Sequence, residues 1–265
     1  MSRYGMVIDL QRCVGCGACA IACKTENNTQ DRRKGQTFNW ADFIYKTEGK
    51  FPDVKFAAIP VLCNHCTDAP CVKACPVTPK AMHKHSNGMT IHNQERCIGC
   101  QACQEACPYS TKDVDKDKAA YSVISFNDSD TEPQPFYRDT RELIPGCTAS
   151  GAEVAKKAGD IPPHRTLYKH SDYAGVRQKE KVEKCIFCEH RVLQGELPYC
   201  VTACPAKARI FGDLEDKNSE ASQLLKKHKP VNLKNNKGDV LKPGEKGTRP
   251  NVYYIRNFKA EAKKA

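Results

Sequence analysis

Hydrophobic and polar positions alternate only over short stretches of this 265-residue chain. Met6 to Leu10 and Met89 to His92 are apolar, β-prone runs, each lying just ahead of a group of cysteines, so each is predicted to lead into that group as a strand. Ser86-Asn87-Gly88 supplies a turn before the second run, and Ala81 to Lys84 is predicted to pair with Met89 to His92 as a hairpin. Tyr121 to Phe126, Ala208 to Gly212 and Val252 to Phe258 read as further short strands, and Leu224 to His228 as part of a short helix beginning near Ser219. None of these elements is long. No apolar run approaches the roughly 18 residues of a membrane span, so the chain is not expected to cross a bilayer.

The stretch from Asp128 to Lys181 is rich in proline, glycine and charge and reads as an insertion, serving surface packing or partner docking. Asn235 to Pro250 reads as a loop, and the Lys-rich end from Lys259 to Ala265 is expected to fray. The length suits one large domain or two small ones. With few apolar residues per domain, much of the folding energy is expected from ligation.

Seventeen cysteines supply the candidate ligands. The first motif is Cys13, Cys16, Cys19 and Cys23, and the third is Cys97, Cys100, Cys103 and Cys107; both have the C-x2-C-x2-C-x3-C spacing of bacterial ferredoxins. The second is Cys63, Cys66, Cys71 and Cys75, and the fourth Cys185, Cys188, Cys200 and Cys204, each with a longer gap before its third cysteine. Arg12-Cys13-Val14-Gly15-Cys16 parallels Arg96-Cys97-Ile98-Gly99-Cys100, and Cys71-Val72-Lys73-Ala74-Cys75-Pro76 parallels Cys200-Val201-Thr202-Ala203-Cys204-Pro205. The chain is therefore an internal repeat in the order A, B, A, B.

In such a run three cysteines wrap one cubane in a tight loop whose N–H groups point at its sulfurs, and Gly15 and Gly99 permit that approach. The final C-x3-C step is about one helical turn, placing its two sulfurs on one face but roughly 5–6 Å apart along the axis, so that one helix bridges two clusters. Pro76, Pro108 and Pro205 stop the helix after three of the fourth cysteines. Lys24 replaces proline after Cys23, so the first helix is expected to run further, with Asn27 and Asn28 as terminators.

Zinc sites use tetrahedral sets of four, often two distant C-x2-C pairs, and tandem cysteines ending in C-x3-C-P are not their usual form. Disulfides suit small secreted chains, whereas these cysteines fall into four complete quartets. Cys147 stands outside every motif and is expected to be a free or buried thiol. The formal charge of +11 suggests nucleic acid or an anionic surface until the ligands are counted; thiolates and four cores of charge +2 bring it to about +3, and nucleic-acid binding is not expected. Two ferredoxin modules follow from the quartet count. Spacing leaves open whether they are sequential, pairing motifs one with two and three with four, or nested, pairing one with four and two with three.

The four quartets in this order, the Cys63-Asn64-His65-Cys66 start, the Ala69-Pro70-Cys71 step and the Cys185-Ile186-Phe187-Cys188 pair resemble the four-cluster iron–sulfur subunits of the dimethyl sulfoxide reductase superfamily of molybdopterin enzymes. The run from Gly5 to Cys23, followed by Lys24-Thr25-Glu26-Asn27-Asn28, looks most like the subunits of respiratory arsenate, polysulfide, thiosulfate and tetrathionate reductases, with arsenate favoured. The resemblance implies an α+β chain of two nested 2[4Fe–4S] ferredoxin-like modules with loop-rich insertions. One comprises residues 1–55 and 182–265, the other residues 56–127, with 128–181 inserted. It further implies four [4Fe–4S] clusters, held by Cys13, Cys16, Cys19 and Cys204; by Cys23, Cys185, Cys188 and Cys200; by Cys63, Cys66, Cys71 and Cys107; and by Cys75, Cys97, Cys100 and Cys103. Some relatives replace the second cysteine of the third motif and carry a three-iron cluster; this chain has Cys100, so four cubanes are expected.

The expected function is electron relay between a molybdopterin-containing catalytic subunit and a quinol- or cytochrome-linked partner or membrane-anchor subunit in anaerobic respiration. The resemblance sets the Cys13 cluster nearest the catalytic subunit and the Cys97 cluster nearest the distal partner. Two alternatives share the quartets: the β subunit of a formate dehydrogenase or hydrogenase complex, and a free polyferredoxin. No catalytic residue is expected. The N-terminus lacks the pattern of a secretory signal, and Arg32-Arg33 is internal, so a periplasmic location would come from co-export with a signal-bearing catalytic subunit, a cytoplasmic one being the alternative. Arg12, Arg96 and Lys184 each precede a first cysteine and are candidates for raising cluster potentials. His65, inside a complete quartet, is expected to pack rather than ligate, and Trp40 is expected to serve either the core or an interface.

Overall fold

A computed structural model describes residues 2–29, 32–129, 139–142, 144–146, 149–158, 178–241 and 248–257. Cys147, much of the predicted insertion and the Lys-rich end lie outside the described residues. The elements mix short helices and strands, as an α+β chain requires.

A three-stranded sheet is built around β1 (Tyr4–Asp9), which pairs antiparallel with β8 (Arg209–Asp213) and parallel with β9 (Val252–Ile255). Met6, Val7 and Ile8 of β1 are fully buried because the central strand is covered on both faces. On one side α7 (Glu220–Lys227) closes a small core of Val7, Ile210, Leu214, Ala221 and Ile255. Ser219 caps α7 by accepting from the Ser222 N–H at 3.1 Å, which is the predicted helix start.

The predicted hairpin forms as β4 (Met82–Lys84) and β5 (Thr90–His92), with Met82 opposite His92. The strand expected from Tyr121 begins later, as β6 (Ile124–Asn127), and pairs with β7 (Lys181–Lys184), which leads directly into Cys185. A hairpin and a helix are among the elements with no counterpart in the sequence reading. β2 (Ala41–Lys50) and β3 (Asp53–Leu62) form a hairpin of two ten-residue strands, and α4 (Gly151–Ala158) lies within the predicted insertion. Ser150 and Glu153 cap α4 reciprocally: the Ser150 N–H donates to Glu153 Oε2 at 2.8 Å and the Glu153 N–H to Ser150 Oγ at 3.3 Å.

The remaining helices carry cysteines. α1 (Ala18–Asn27) packs against α6 (Tyr199–Thr202), and α2 (Pro70–Ala74) against α3 (Ala102–Ala106). α1 has ten residues where α2 and α3 have five, and it ends at Asn28 in the left-handed region, as the Lys24 substitution predicts. A fourth short helix, α5 (Glu189–Val192), follows Cys188. The main core runs through both helix pairs and contains Trp40, so that residue packs internally. Among the described residues no helix is long and apolar enough to cross a membrane.

Candidate iron–sulfur centres

Each cysteine loop is shaped by backbone that takes positive φ. Gly15 and Gly99 have φ of 67° and 73°. A Cβ on Gly15 would stand 2.7 Å from the Cβ of Ala58, and one on Gly99 would run into the Glu180 carbonyl oxygen. The close approach at these glycines is thus made by β3 and by the entry to β7, a packing role that adds to the loop geometry. His65 and Phe187, at equivalent points of the second and fourth motifs, also have positive φ, 43° and 54°.

Three apolar cavities are lined by cysteine. One is lined by Cys13, Cys16, Cys19 and Cys204, a second by Cys63, Cys66, Cys71 and Cys107, and a third by Cys75, Cys97, Cys100 and Cys103. The remaining four gather as well: Cys185, Cys188 and Cys200 are the sulfurs that weigh on Cys23. None of these sixteen cysteines is in a disulfide. Backbone N–H groups point at the sulfurs: Gly99 to Cys97 and Phe187 to Cys185 at 3.4 Å, Met82 to Cys75 at 3.5 Å, and Ala208 to Cys204 at 3.3 Å. Asn27, on α1, adds a side-chain donor, with Nδ2 3.6 Å from Cys23 Sγ and 3.9 Å from Cys188 Sγ.

The electrostatics test what such cavities hold. Burial, reinforced by Cys97 and Cys100, pushes the Cys103 thiol up to about 12. Burial and the neighbouring Cys200 push Cys188 to about 12 as well, and burial pushes Cys107 to about 11 against a hydrogen bond from Ser110. Thiolates at this density need a cationic core among them. Among the described residues no three His, Cys, Asp or Glu side chains are grouped to hold a single ion. A polynuclear iron–sulfur core fits the donor set: four sulfurs around an apolar space, with N–H donors behind them.

Cys16 and Cys100 are exposed, Cys13, Cys107 and Cys204 half-buried, and the other eleven buried. The His65 and Phe187 rings stack at 3.6 Å, with planes 9° apart. His65 Nδ1 accepts the Thr90 N–H at 3.2 Å, and burial followed by the charges of Lys184 and Lys84 pushes its pKa well below the ordinary value. It is a packing histidine, as the complete quartet implies. Of the three basic residues preceding first cysteines, only Lys184 is buried; Arg12 pairs with Asp9 at 3.3 Å and Arg96 is exposed. Three polar groups around the sulfurs have no counterpart in the sequence reading: Asn27, as a donor to sulfur, Lys84 and Arg209. For Arg209 a signal exists, an arginine between Ala208 and the apolar Ile210-Phe211 pair of a predicted strand.

These features define a ferredoxin-like iron–sulfur protein. A family model described as a 4Fe-4S dicluster domain matches residues 54–126 and 154–214, and a 4Fe-4S binding domain matches residues 4–25. The chain is 46% identical to the arsenate respiratory reductase iron–sulfur subunit ArrB of Shewanella sp. (strain ANA-3), the alignment covering 97% of each chain. It is 32% identical to a selenate reductase subunit of Mesobacillus selenatarsenatis, over 96% of this chain and 72% of the relative. It is 29% identical to the iron–sulfur cluster-binding subunit of a menaquinone reductase of Nitratidesulfovibrio vulgaris, over 96% of this chain and 88% of the relative. The chain belongs to the family of [4Fe–4S] electron-transfer subunits of the dimethyl sulfoxide reductase superfamily.

Proposed function

We propose that this chain relays electrons through four [4Fe–4S] clusters between a molybdopterin catalytic subunit that reduces arsenate and a quinol- or cytochrome-linked partner. The observation that carries the reading is the cysteine lining of the cavities, each drawing three sulfurs from one motif and the fourth from another. The ligand sets are then Cys13, Cys16, Cys19 and Cys204; Cys23, Cys185, Cys188 and Cys200; Cys63, Cys66, Cys71 and Cys107; and Cys75, Cys97, Cys100 and Cys103. This is the nested arrangement, with residues 1–55 and 182–265 in one module, 56–127 in the other and 128–181 inserted.

The clusters supply one-electron acceptors; the chain's residues hold them at fixed separation, donate N–H groups to their sulfurs and exclude water. The exposed cysteines fall in the Cys13 and Cys97 sets, which supports these two centres as the ends of the relay; the family resemblance sets the Cys13 centre toward the catalytic subunit. The inner sets are sheltered, apart from half-buried Cys107. The arsenate assignment follows the name of the relative at 46% identity. A periplasmic location follows if the loaded chain is exported with its catalytic partner.

The test is anaerobic purification of the complex with Cys204→Ser and, separately, Cys75→Ser. Nested ligation predicts that Cys204→Ser alters the EPR signal of the Cys13 centre and Cys75→Ser that of the Cys97 centre; a Cys75→Ser change at the Cys13 centre would establish sequential pairing instead. Arsenate reduction by the co-purifying large subunit, with a reduced viologen as donor, tests the substrate.

A further inference from the structure

Of the three cysteine-lined cavities, one has an arginine in its lining, and the other two have neither arginine nor lysine. Arg209, the first residue of β8, is 3% exposed and lines the cavity of Cys13, Cys16, Cys19 and Cys204. Its guanidinium lies against the sulfurs of Cys19 and Cys200, one from each of the two sets in that module. Nη1 approaches Met6 Sδ at 3.7 Å, and Nη2 meets no oxygen or nitrogen acceptor among the described residues. Among those residues no carboxylate pairs with it.

A buried charge without a counter-ion costs several kcal/mol. Arginine cannot shed that cost by losing its proton. The local sequence does not require it either. Lys207-Ala208-Arg209 begins three residues after Cys204 and Lys80-Ala81-Met82 five residues after Cys75, and Met82 lines the Cys97 cavity. The Cys97 cavity takes a thioether from its run, and the Cys13 cavity takes a guanidinium. What the guanidinium faces is sulfur that becomes anionic on loading, and it faces two such groups at once.

We propose that Arg209 is a shared counter-charge for the Cys13 and Cys23 clusters, raising both potentials together and so keeping the electron step between these two centres level. The inference rests on the ligand sets proposed above. On reduction one electron from the donor enters a cluster; no bond is made or broken, and the guanidinium neither gains nor loses a proton. Because the charge is common to both centres, it lifts them together, and the Cys63 and Cys97 centres serve as internal controls.

The experiment is an EPR-monitored potentiometric titration of the intact complex, wild type beside Arg209→Lys and Arg209→Met, with dithionite as reductant. In Arg209→Met the ratio of reduced to oxidised centre at fixed poise is expected to fall about tenfold, equivalent to about 59 mV for one electron, at two centres only. Arg209→Lys is expected to stay within about threefold of wild type because it keeps the charge. Four unshifted centres, an equal fall at all four, or a fall in Arg209→Lys as large as in Arg209→Met would overturn the proposal. If Arg209→Met fails to load, wild type grown on guanidino-15N arginine decides: pulsed EPR of the reduced protein is expected to show 15N coupling at one or both of these centres, and its absence would overturn the proposal. Iron in the wild type far below about sixteen per chain would instead overturn the cluster reading itself.

Discussion

Lys184 separates a charge that acts from charges that merely stand nearby. Its side chain is 1% exposed, and Nζ donates to the carbonyls of Cys185, at 2.7 Å, and Thr90. The positive charge bears on Cys185 of one set and on Cys71 and Cys107 of another, lowering all three against burial. A cation favours the state with the extra electron, so Lys184→Met lowers potential at the Cys185 and Cys63 centres. A unit charge about 8 Å from a cluster centre, at an effective dielectric constant of about 20, is worth about 2 kcal/mol, or about 90 mV for one electron. Arg12 has the same place in its motif but pairs with Asp9 and is 44% exposed, so Arg12→Gln is expected to move its centre by less than about 20 mV.

The assay is a redox titration by EPR with iron content measured on the same samples. Lys184→Met also strips a donor from two buried carbonyls, at a cost of about 1–3 kcal/mol each, so its melting temperature falls as well. The melting temperature does not decide the question; the potentials do. Lys184→Met protein with all four clusters and unchanged potentials at the inner centres would refute the reasoning, as would an Arg12→Gln shift of equal size.

Gly99→Ala forces a left-handed backbone on alanine and drives a Cβ into the Glu180 carbonyl, so iron is expected to fall by about four atoms per chain, measured by metal analysis. Asn27→Leu removes the donor to Cys23 and Cys188, worth about 1 kcal/mol, and is expected to lower that centre by about 40 mV in the same titration. Ser219→Ala removes the α7 cap at a cost of about 1 kcal/mol and is expected to lower the melting temperature by a few degrees with iron content unchanged.

The elements legible in the sequence are those whose signals are local. Ser86-Asn87-Gly88 sets the β4–β5 hairpin, Ser219 starts α7, and Asn28 ends α1 where proline is missing. The β2–β3 hairpin is not legible because its outer half is exposed: Tyr45, Val54 and Phe56 face solvent while Lys and Glu sit between them, which blurs the inside–outside alternation. Its turn, Phe51-Pro52, is also not a common hairpin pair. α4 escapes the sequence reading although its Ser150-x-x-Glu153 cap is a recognisable start, because proline and glycine dominate the surrounding stretch. The cysteine sets are legible as quartets but not as partners. α1 packs on α6 and α2 on α3, a long-range fact no spacing encodes, and the partnership proposed for the motifs follows that packing.

The same limit applies to charge. Composition gives +11, and counting thiolates and cores accounts for most of it, but counting does not say where the cations stand. Many surface lysines and arginines have carboxylate partners, as Arg3 has Glu215 and Arg249 has Asp68, and these are worth little in solvent. Lys84, Lys184 and Arg209 are different: among the described residues none pairs with a carboxylate, and all three lie against the cysteine loops. Burial brings the Lys84 pKa down to about 8 even with Cys66 and Cys63 opposing the fall. Such groups are unfavourable in a fold without anions and favourable in one built around four anionic clusters. Loading should therefore stabilise this chain by relieving repulsion among Lys84, Lys184 and Arg209 as well as by making iron–sulfur bonds.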